Sequence, residues 1–240
     1  ATQPLFARKI TEPGKGSWFE LRISTARHWL LDEHRLATGE ALWPGTGYLE
    51  LVAEAAKEYG LRLPIDITDL TFLRPLYVPD DEKRTVRVQL ERQQGEFLAT
   101  VDSRVEGTSG EGWLRHAEAV IHPTRIPRSA TVDIEALLSS SELIATEATS
   151  TSRLQAPQEK HLNFGPRWHV LREVHRDESS RLAKLSLKSD LISDLERGLL
   201  VHPALLDIAT GFAMDLIKGY DHADGLWDTM TYGSVRQYRP

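Results

Sequence analysis

Apolar and polar positions alternate along residues 17–24, SWFELRIS, and this period of two predicts a strand. The period changes after Pro44, which suits the first turn of a helix because its missing N–H costs nothing there. Leu49, Val52, Ala53 and Ala56 follow at helical spacing, and Gly60 ends the run. Leu51 and Ala55 widen the apolar surface, so this helix is expected to be wrapped on several sides. Four strand-like runs come next, at 66–78, 84–93, 95–104 and 112–122, with Pro75 marking an edge or bulge in the first. The turns between them, PDDEK, QG and EGTSGE, suggest an antiparallel meander.

The second part of the chain is less regular. Residues 123–130, PTRIPRSA, have the composition of a linker, and DIEALLSSSEL predicts a short helix with Asp133 near its start. Residues 145–160 are polar and rich in Ser and Thr, which predicts a mobile loop. Strand patterns resume at 168–176 and 182–188. A second apolar helix is expected over 202–220, opened by Pro203 and closed by Gly219. Leu205, Ile208, Ala209, Phe212 and Leu216 would line its buried face. Each part thus pairs strands with one apolar helix begun by proline. That is what an internal duplication would give, and equally what coincidence would give.

Composition narrows the chemistry. At 240 residues the chain suits one large domain or two small ones, enough for a sizeable core. No apolar run reaches the length of a membrane span, and ATQPLFARKI at the start lacks the apolar core of a signal peptide. Cysteine is absent, so disulfides, thiolate metal sites and cysteine nucleophiles are excluded, in keeping with a reducing cytoplasm. A net charge of −6 without a basic block argues against nucleic acid as a partner. None of the nine histidines falls in an HExxH pattern or a tight carboxylate cluster, so no metal site is expected.

Two titratable residues stand out. His34 lies in a polar turn just ahead of the first apolar helix, where histidines are ordinarily solvated. Asp207 sits one turn into the second, among Leu205, Leu206, Ile208 and Ala209. It is either a carboxylate favoured by the helix dipole or a carboxyl group kept protonated by an apolar site and able to act as an acid. Gly45 and Gly47 either ease the close approach of the helix start to another backbone or expose N–H groups to a developing oxyanion. Asn163-Phe164-Gly165-Pro166 is either a plain turn or a loop shaping a tunnel.

Taken together these segments resemble the dehydratase domains of modular polyketide synthases. HRLATGEALWPGTGYLEL is similar to their first signature, a His followed by a Gly and then a Pro; HPALLDIATG to their second, an Asp just after His-Pro-Ala-Leu-Leu; NFGP to their Gly-Tyr-Gly-Pro loop; and DLTFLRPLYVPD to a further common stretch. The resemblance implies an α+β, double hot-dog fold: two curled antiparallel sheets, each around a long central helix. Residues 1–125 would form the half carrying the catalytic His and 126–240 the half carrying the Asp.

It further implies His34 as base and Asp207 as acid, removing water from a β-hydroxyacyl thioester to leave an α,β-unsaturated thioester. The substrate would hang from the phosphopantetheine of an acyl carrier protein, with no metal or organic cofactor. Gly39, Pro44, Phe164, Gly165, Pro166 and Gly211 would border it, and backbone N–H groups near Gly39 or the helix start would steady the thioester carbonyl. Neighbouring synthase domains and a homodimer are the implied partners.

Four departures from the pattern accompany the match. Four residues separate His34 from Gly39 where the signature has three. Gly211 stands where Gln or His is usual, so it cannot orient Asp207, and Phe164 stands where Tyr is usual. Family members also continue for several tens of residues past a point like YGSVRQYRP, which would leave the last strands of the second sheet missing and an edge exposed. The departures keep three other readings open: a double-bond isomerase, a ring-closing relative, and a non-catalytic domain that holds a carrier protein. Variants with the isomerase role tend to lose the Asp, so retention of Asp207 with Pro44 favours dehydration.

Overall fold

The computed structural model describes residues 8–12, 16–105, 112–123, 131–178, 180–196, 199, 202–217, 220 and 229–238. Strands β1 (Arg8–Glu12) and β2 (Gly16–Ile23) lead into a single helical turn, α1 (Trp29–Asp32), and a short strand, β3 (His34–Leu36). Helix α2 (Gly45–Tyr59) and strands β4 (Ile65–Phe72), β5 (Arg84–Gln93), β6 (Glu96–Val105) and β7 (Leu114–Pro123) complete the first part. The second part runs α3 (Ile134–Ser139), β8 (Glu142–Thr146), β9 (Leu162–Phe164), β10 (Leu171–Arg176), β11 (Arg181–Leu185), α4 (Ser193–Glu196), α5 (Pro203–Gly211) and β12 (Thr231–Gln237).

Helix α2 is the centre of the molecule. Pro44 precedes it in extended conformation, and Gly60 ends it with φ of 101°, a left-handed turn that lets its N–H reach back to the carbonyls of Ala56 and Lys57. Every residue from Thr46 to Ala56 is buried, as the widened apolar surface predicts, and the buried Glu54 is paired with Lys57 at 3.3 Å. Around α2 lies a seven-stranded antiparallel sheet in the order β1-β2-β5-β6-β7-β4-β12. Its inner face alternates as a strand should: Val86, Val88 and Leu90 of β5 point inward while Arg87 stays on the outside. Arg87 and Arg115 both reach the buried Asp102, each at 3.0 Å. A second sheet, β11-β10-β8, and a two-stranded ladder of β3 with β9 hold the remaining strands.

Several sequence expectations are corrected. The meander has three strands, β5-β6-β7, because β4 joins the far side of β7 rather than β5. The run at 66–78 is a strand only to Phe72. Beyond Pro75 the backbone pairs with the segment before α2 instead, through Trp43 N–H to Leu76 O at 3.0 Å and Val78 N–H to Ala41 O at 3.1 Å. Residues 145–160 are a loop only in part, over 147–156. Thr146 ends β8, and Pro157–Lys160 forms a 3-10 turn tied down by Glu159, which accepts from the Ala156 N–H at 2.8 Å and pairs with Arg153 at 2.5 Å. The helix expected over 202–220 ends at Gly211, followed by a 3-10 turn at Met214–Leu216. Its buried positions are Pro203, Ala204, Ile208 and Gly211, whereas Ala209 and Leu216 are exposed. The small side chains let α5 lie against α2, where Thr46 Oγ1 donates to Pro203 O at 2.9 Å. Gly219 and most of the expected 123–130 linker lie outside the described residues.

Two buried histidines couple this fold to pH. His116 donates from Nδ1 to Arg74 O at 3.2 Å and accepts from Ser103 Oγ at 2.8 Å, while His202 stacks on Trp29 with ring centroids 5.5 Å apart. Burial holds both below the ordinary imidazole value of 6.5. The unfolded chain therefore binds protons at mildly acid pH that the folded chain refuses, and unfolding draws them in. Stability should decline as pH falls through about 6.5 and level off below the depressed folded values. Thermal denaturation at stepped pH checks this, and replacing His116 by Gln should flatten the decline.

Candidate active site

His34 is not solvated, because strand pairing draws its turn inward. β3 pairs with β9, setting His34 opposite Phe164, and the Gly165 N–H donates to Glu33 O at 2.9 Å. Only 5% of His34 is exposed. Its backbone carbonyl accepts from the Leu42 N–H at 3.0 Å, and its Nδ1 lies 2.8 Å from the Leu42 carbonyl. A carbonyl can only accept, so Nδ1 carries the hydrogen and Nε2 of the neutral ring keeps its lone pair. That nitrogen lies 3.8 Å from Asp207 Oδ2, too long for a hydrogen bond.

Asp207 comes from α5 and is held from the side. Trp168 Nε1 donates to Oδ2 at 2.7 Å. The indole is fixed in turn: it stacks on Phe164 at 5.8 Å, meets Trp29 edge-on at 5.5 Å and lies 5.4 Å from the His34 ring. One aromatic cluster thus sets the positions of both polar groups.

The pair opens onto a cavity of about 250 Å³. Leu42, Gly45, Tyr48, Phe72, Gln158 and Gly211 are among its walls, with Thr210, Met214 and Met230 further along. Of the residues the sequence placed around the substrate, Gly211 lines this cavity directly. Pro44 immediately precedes α2, whose Gly45 is on the cavity wall, and Phe164 lies beside the His34 ring at 5.5 Å. Gly165 and Pro166 carry the turn that delivers Trp168.

Gly39 is elsewhere. It borders a separate surface depression, and its N–H is engaged by Leu36 O at 2.9 Å, so it offers no oxyanion contact in this cavity. Gly47 also spends its N–H, on Pro44 O at 2.9 Å, which leaves Gly45 as the member of that pair on the cavity wall. The longer His34–Gly39 turn is clamped by Arg35, which donates to Asp32 O at 3.1 Å, Gly39 O at 3.0 Å and Asp80 Oδ1 at 2.7 Å.

Trp168, Gln158 and the Leu42 carbonyl were missed by sequence reasoning. Nothing in PRWHV marks the indole as a donor to a carboxyl group, and a backbone carbonyl leaves no trace in residue type. Gly165 has a steric reason to be glycine. A Cβ there would stand 2.5 Å from Glu33 Cβ. On the reading proposed below, in which the His34 imidazole reacts, Gly165→Ala should displace Glu33 and with it that ring, lowering turnover by about 10²-fold. Steady-state kinetics together with a thermal melt separate this from unfolding.

The architecture is similar to that of solved proteins. The dehydratase domain from the CurF module of curacin polyketide synthase superposes with a TM-score of 0.82 at 21% identity, covering 100% of this chain and 84% of that one. Fold and site together define a double hot-dog protein with one histidine–aspartate pair at a shared cavity.

Residues 3–104 match the model of the polyketide synthase dehydratase domain, and residues 140–239 match that of the polyketide synthase dehydratase N-terminal domain. The chain belongs to the polyketide synthase dehydratase family. Among its relatives are polyketide synthase GfsA of Streptomyces halstedii, 31% identical over 220 residues, and GfsB of the same organism, 32% identical over 232 residues. These matches cover 87% and 90% of this chain, but the chain spans only 3% and 4% of the two relatives' lengths. Among the described residues no helix is long and apolar enough to cross a membrane, and no cluster of three or more His, Cys, Asp or Glu is placed to hold a metal ion.

Proposed function

We propose that this chain removes water from a β-hydroxyacyl thioester carried on the phosphopantetheine of an acyl carrier protein. The observation that carries the reading is the approach of His34 Nε2 to Asp207 Oδ2, 3.8 Å apart at one cavity. Neutral His34 takes a proton from the α carbon, and the electrons of that C–H bond become the new double bond. Asp207, protonated when substrate binds, gives its proton to the β-hydroxyl as the C–O bond breaks, so that water leaves. Hydroxide is a poor leaving group, which makes the acid as necessary as the base. The imidazolium formed at His34 keeps its Nδ1–H on the Leu42 carbonyl. With base and acid so close, hydrogen and hydroxyl must leave from the same side of the substrate. The chemistry calls for no metal or organic cofactor.

The rest of the reading follows the same family. Residues 1–125 form the half that supplies His34 and residues 126–240 the half that supplies Asp207, with β12 returning to the first sheet beside β4. Gly45, Gly211 and the Phe164–Pro166 turn shape the substrate's path. The carrier protein, neighbouring synthase domains and a second copy of the chain joined through a sheet edge are the partners, in the cytoplasm. The test is incubation with a panel of β-hydroxy and unsaturated thioesters, read by mass spectrometry. Loss of one water from a β-hydroxy thioester is the expected result. Solvent deuterium entering an unsaturated thioester with no water lost would instead assign isomerisation, and no change in any member would assign a binding role.

A further inference from the structure

Gly211 faces the cavity without a side chain, and its place is taken from across the site. A Cβ at position 211 would stand 2.5 Å from Gln158 Cδ and closer still to Nε2. Gln158 belongs to the 3-10 turn at Pro157–Lys160, is 7% exposed and lines the same cavity as His34 and Asp207. Its Nε2 lies 3.5 Å from the backbone carbonyl of Asp207. Because that carbonyl only accepts, the amide is oriented with its nitrogen toward it. Oε1 remains as a buried acceptor with no hydrogen-bond partner among the described residues. Leaving a buried acceptor unsatisfied is costly, so this one needs an account.

An alcohol oxygen that takes a proton from Asp207 still bears its own hydrogen, and away from bulk water that hydrogen needs an acceptor. We propose that Gln158 is a substrate-binding residue whose Oε1 accepts the hydrogen of the β-hydroxyl while Asp207 protonates the same oxygen. When the C–O bond breaks, the departing water carries one hydrogen from Asp207 and its original one. It is then held between the Asp207 carboxylate and the Gln158 amide. This rests on the elimination reading above and adds a specificity to it: the site prefers a hydroxylated chain to its 3-deoxy counterpart.

The test measures that preference without turnover. In a His34→Phe background, 3-hydroxyacyl and matching 3-deoxyacyl N-acetylcysteamine thioesters of increasing chain length are titrated by tryptophan fluorescence. The hydroxylated series should bind about tenfold tighter, the worth of one buried hydrogen bond. Gln158→Met, close in shape but without the acceptor, should erase the preference. Gly211→Ala, whose methyl group collides with the amide, should do the same, and Gln158→Ala combined with Gly211→Gln should restore part of it. A preference that survives Gln158→Met, or is absent from the His34→Phe background, overturns the proposal. A preference that Gln158→Met removes, in a chain that releases water from no thioester, upholds Gln158 and overturns elimination instead.

Discussion

Asp207→Asn should slow the release of water by about 10²–10⁴-fold, the usual worth of a positioned general acid. Asn is close in shape to Asp and keeps an oxygen that can accept from Trp168 Nε1, now 2.7 Å from Oδ2, so the packing around position 207 should be retained. What the amide lacks is a proton to give. His34→Gln should cost a similar factor for the opposite reason, since it leaves no base on the α-carbon side. In the proposed mechanism the two groups serve one elimination, so the double variant should be little slower than the slower single one. Single-turnover measurements on the three variants, with near-ultraviolet circular dichroism to confirm the fold, provide the check. Unimpaired turnover in Asp207→Asn would assign the proton to another group.

Arg167→Met should destabilise the protein by about 3–5 kcal/mol, because removing one member of a buried ionic group weakens the compensation of the others. Arg167 joins three segments. Its guanidinium pairs with Glu33, which precedes the imidazole, and with Asp194 of α4 at 2.6 Å, and its backbone N–H donates to Glu33 Oε2 at 2.7 Å. Asp194 is 1% exposed, so its charge has no recourse to water once the arginine is gone. Urea denaturation measures the loss. Adding Glu33→Gln and Asp194→Asn to Arg167→Met should recover part of it, since neutral groups tolerate burial better than charged ones. A loss below about 1 kcal/mol would mean that the group behaves as an exposed one.

The elements governed by local pattern were legible in the sequence. Pro44 and Gly60 bound α2 because helix ends have local chemistry, and the alternation of Val86, Val88 and Leu90 marks β5 because only one face of that strand is buried. The neighbour of β4 was not legible, since nothing in a strand's own residues states which edge it joins. Nor was the end of α5: Ala209, Phe212 and Leu216 continue a helical spacing that the backbone abandons at Gly211. At the site, His34 and Asp207 could be singled out by their surroundings and by family resemblance. Gln158 could not, because it lies in a polar segment and reaches the cavity only through the void beside Gly211. Gly39 shows the reverse: a motif position whose amide is spent on a local turn.

Leu42 gives its carbonyl to the imidazole and its side chain to the cavity wall. The two contributions are chemically independent, because every amino acid at that position would bring the same carbonyl. On the proposed function, a lineage could therefore exchange Leu42 for a smaller or larger residue and retune which acyl chains fit, without disturbing the tautomer that the mechanism requires. Reprogramming of substrate choice in this scaffold has a ready starting point there, one residue removed from the reacting atoms.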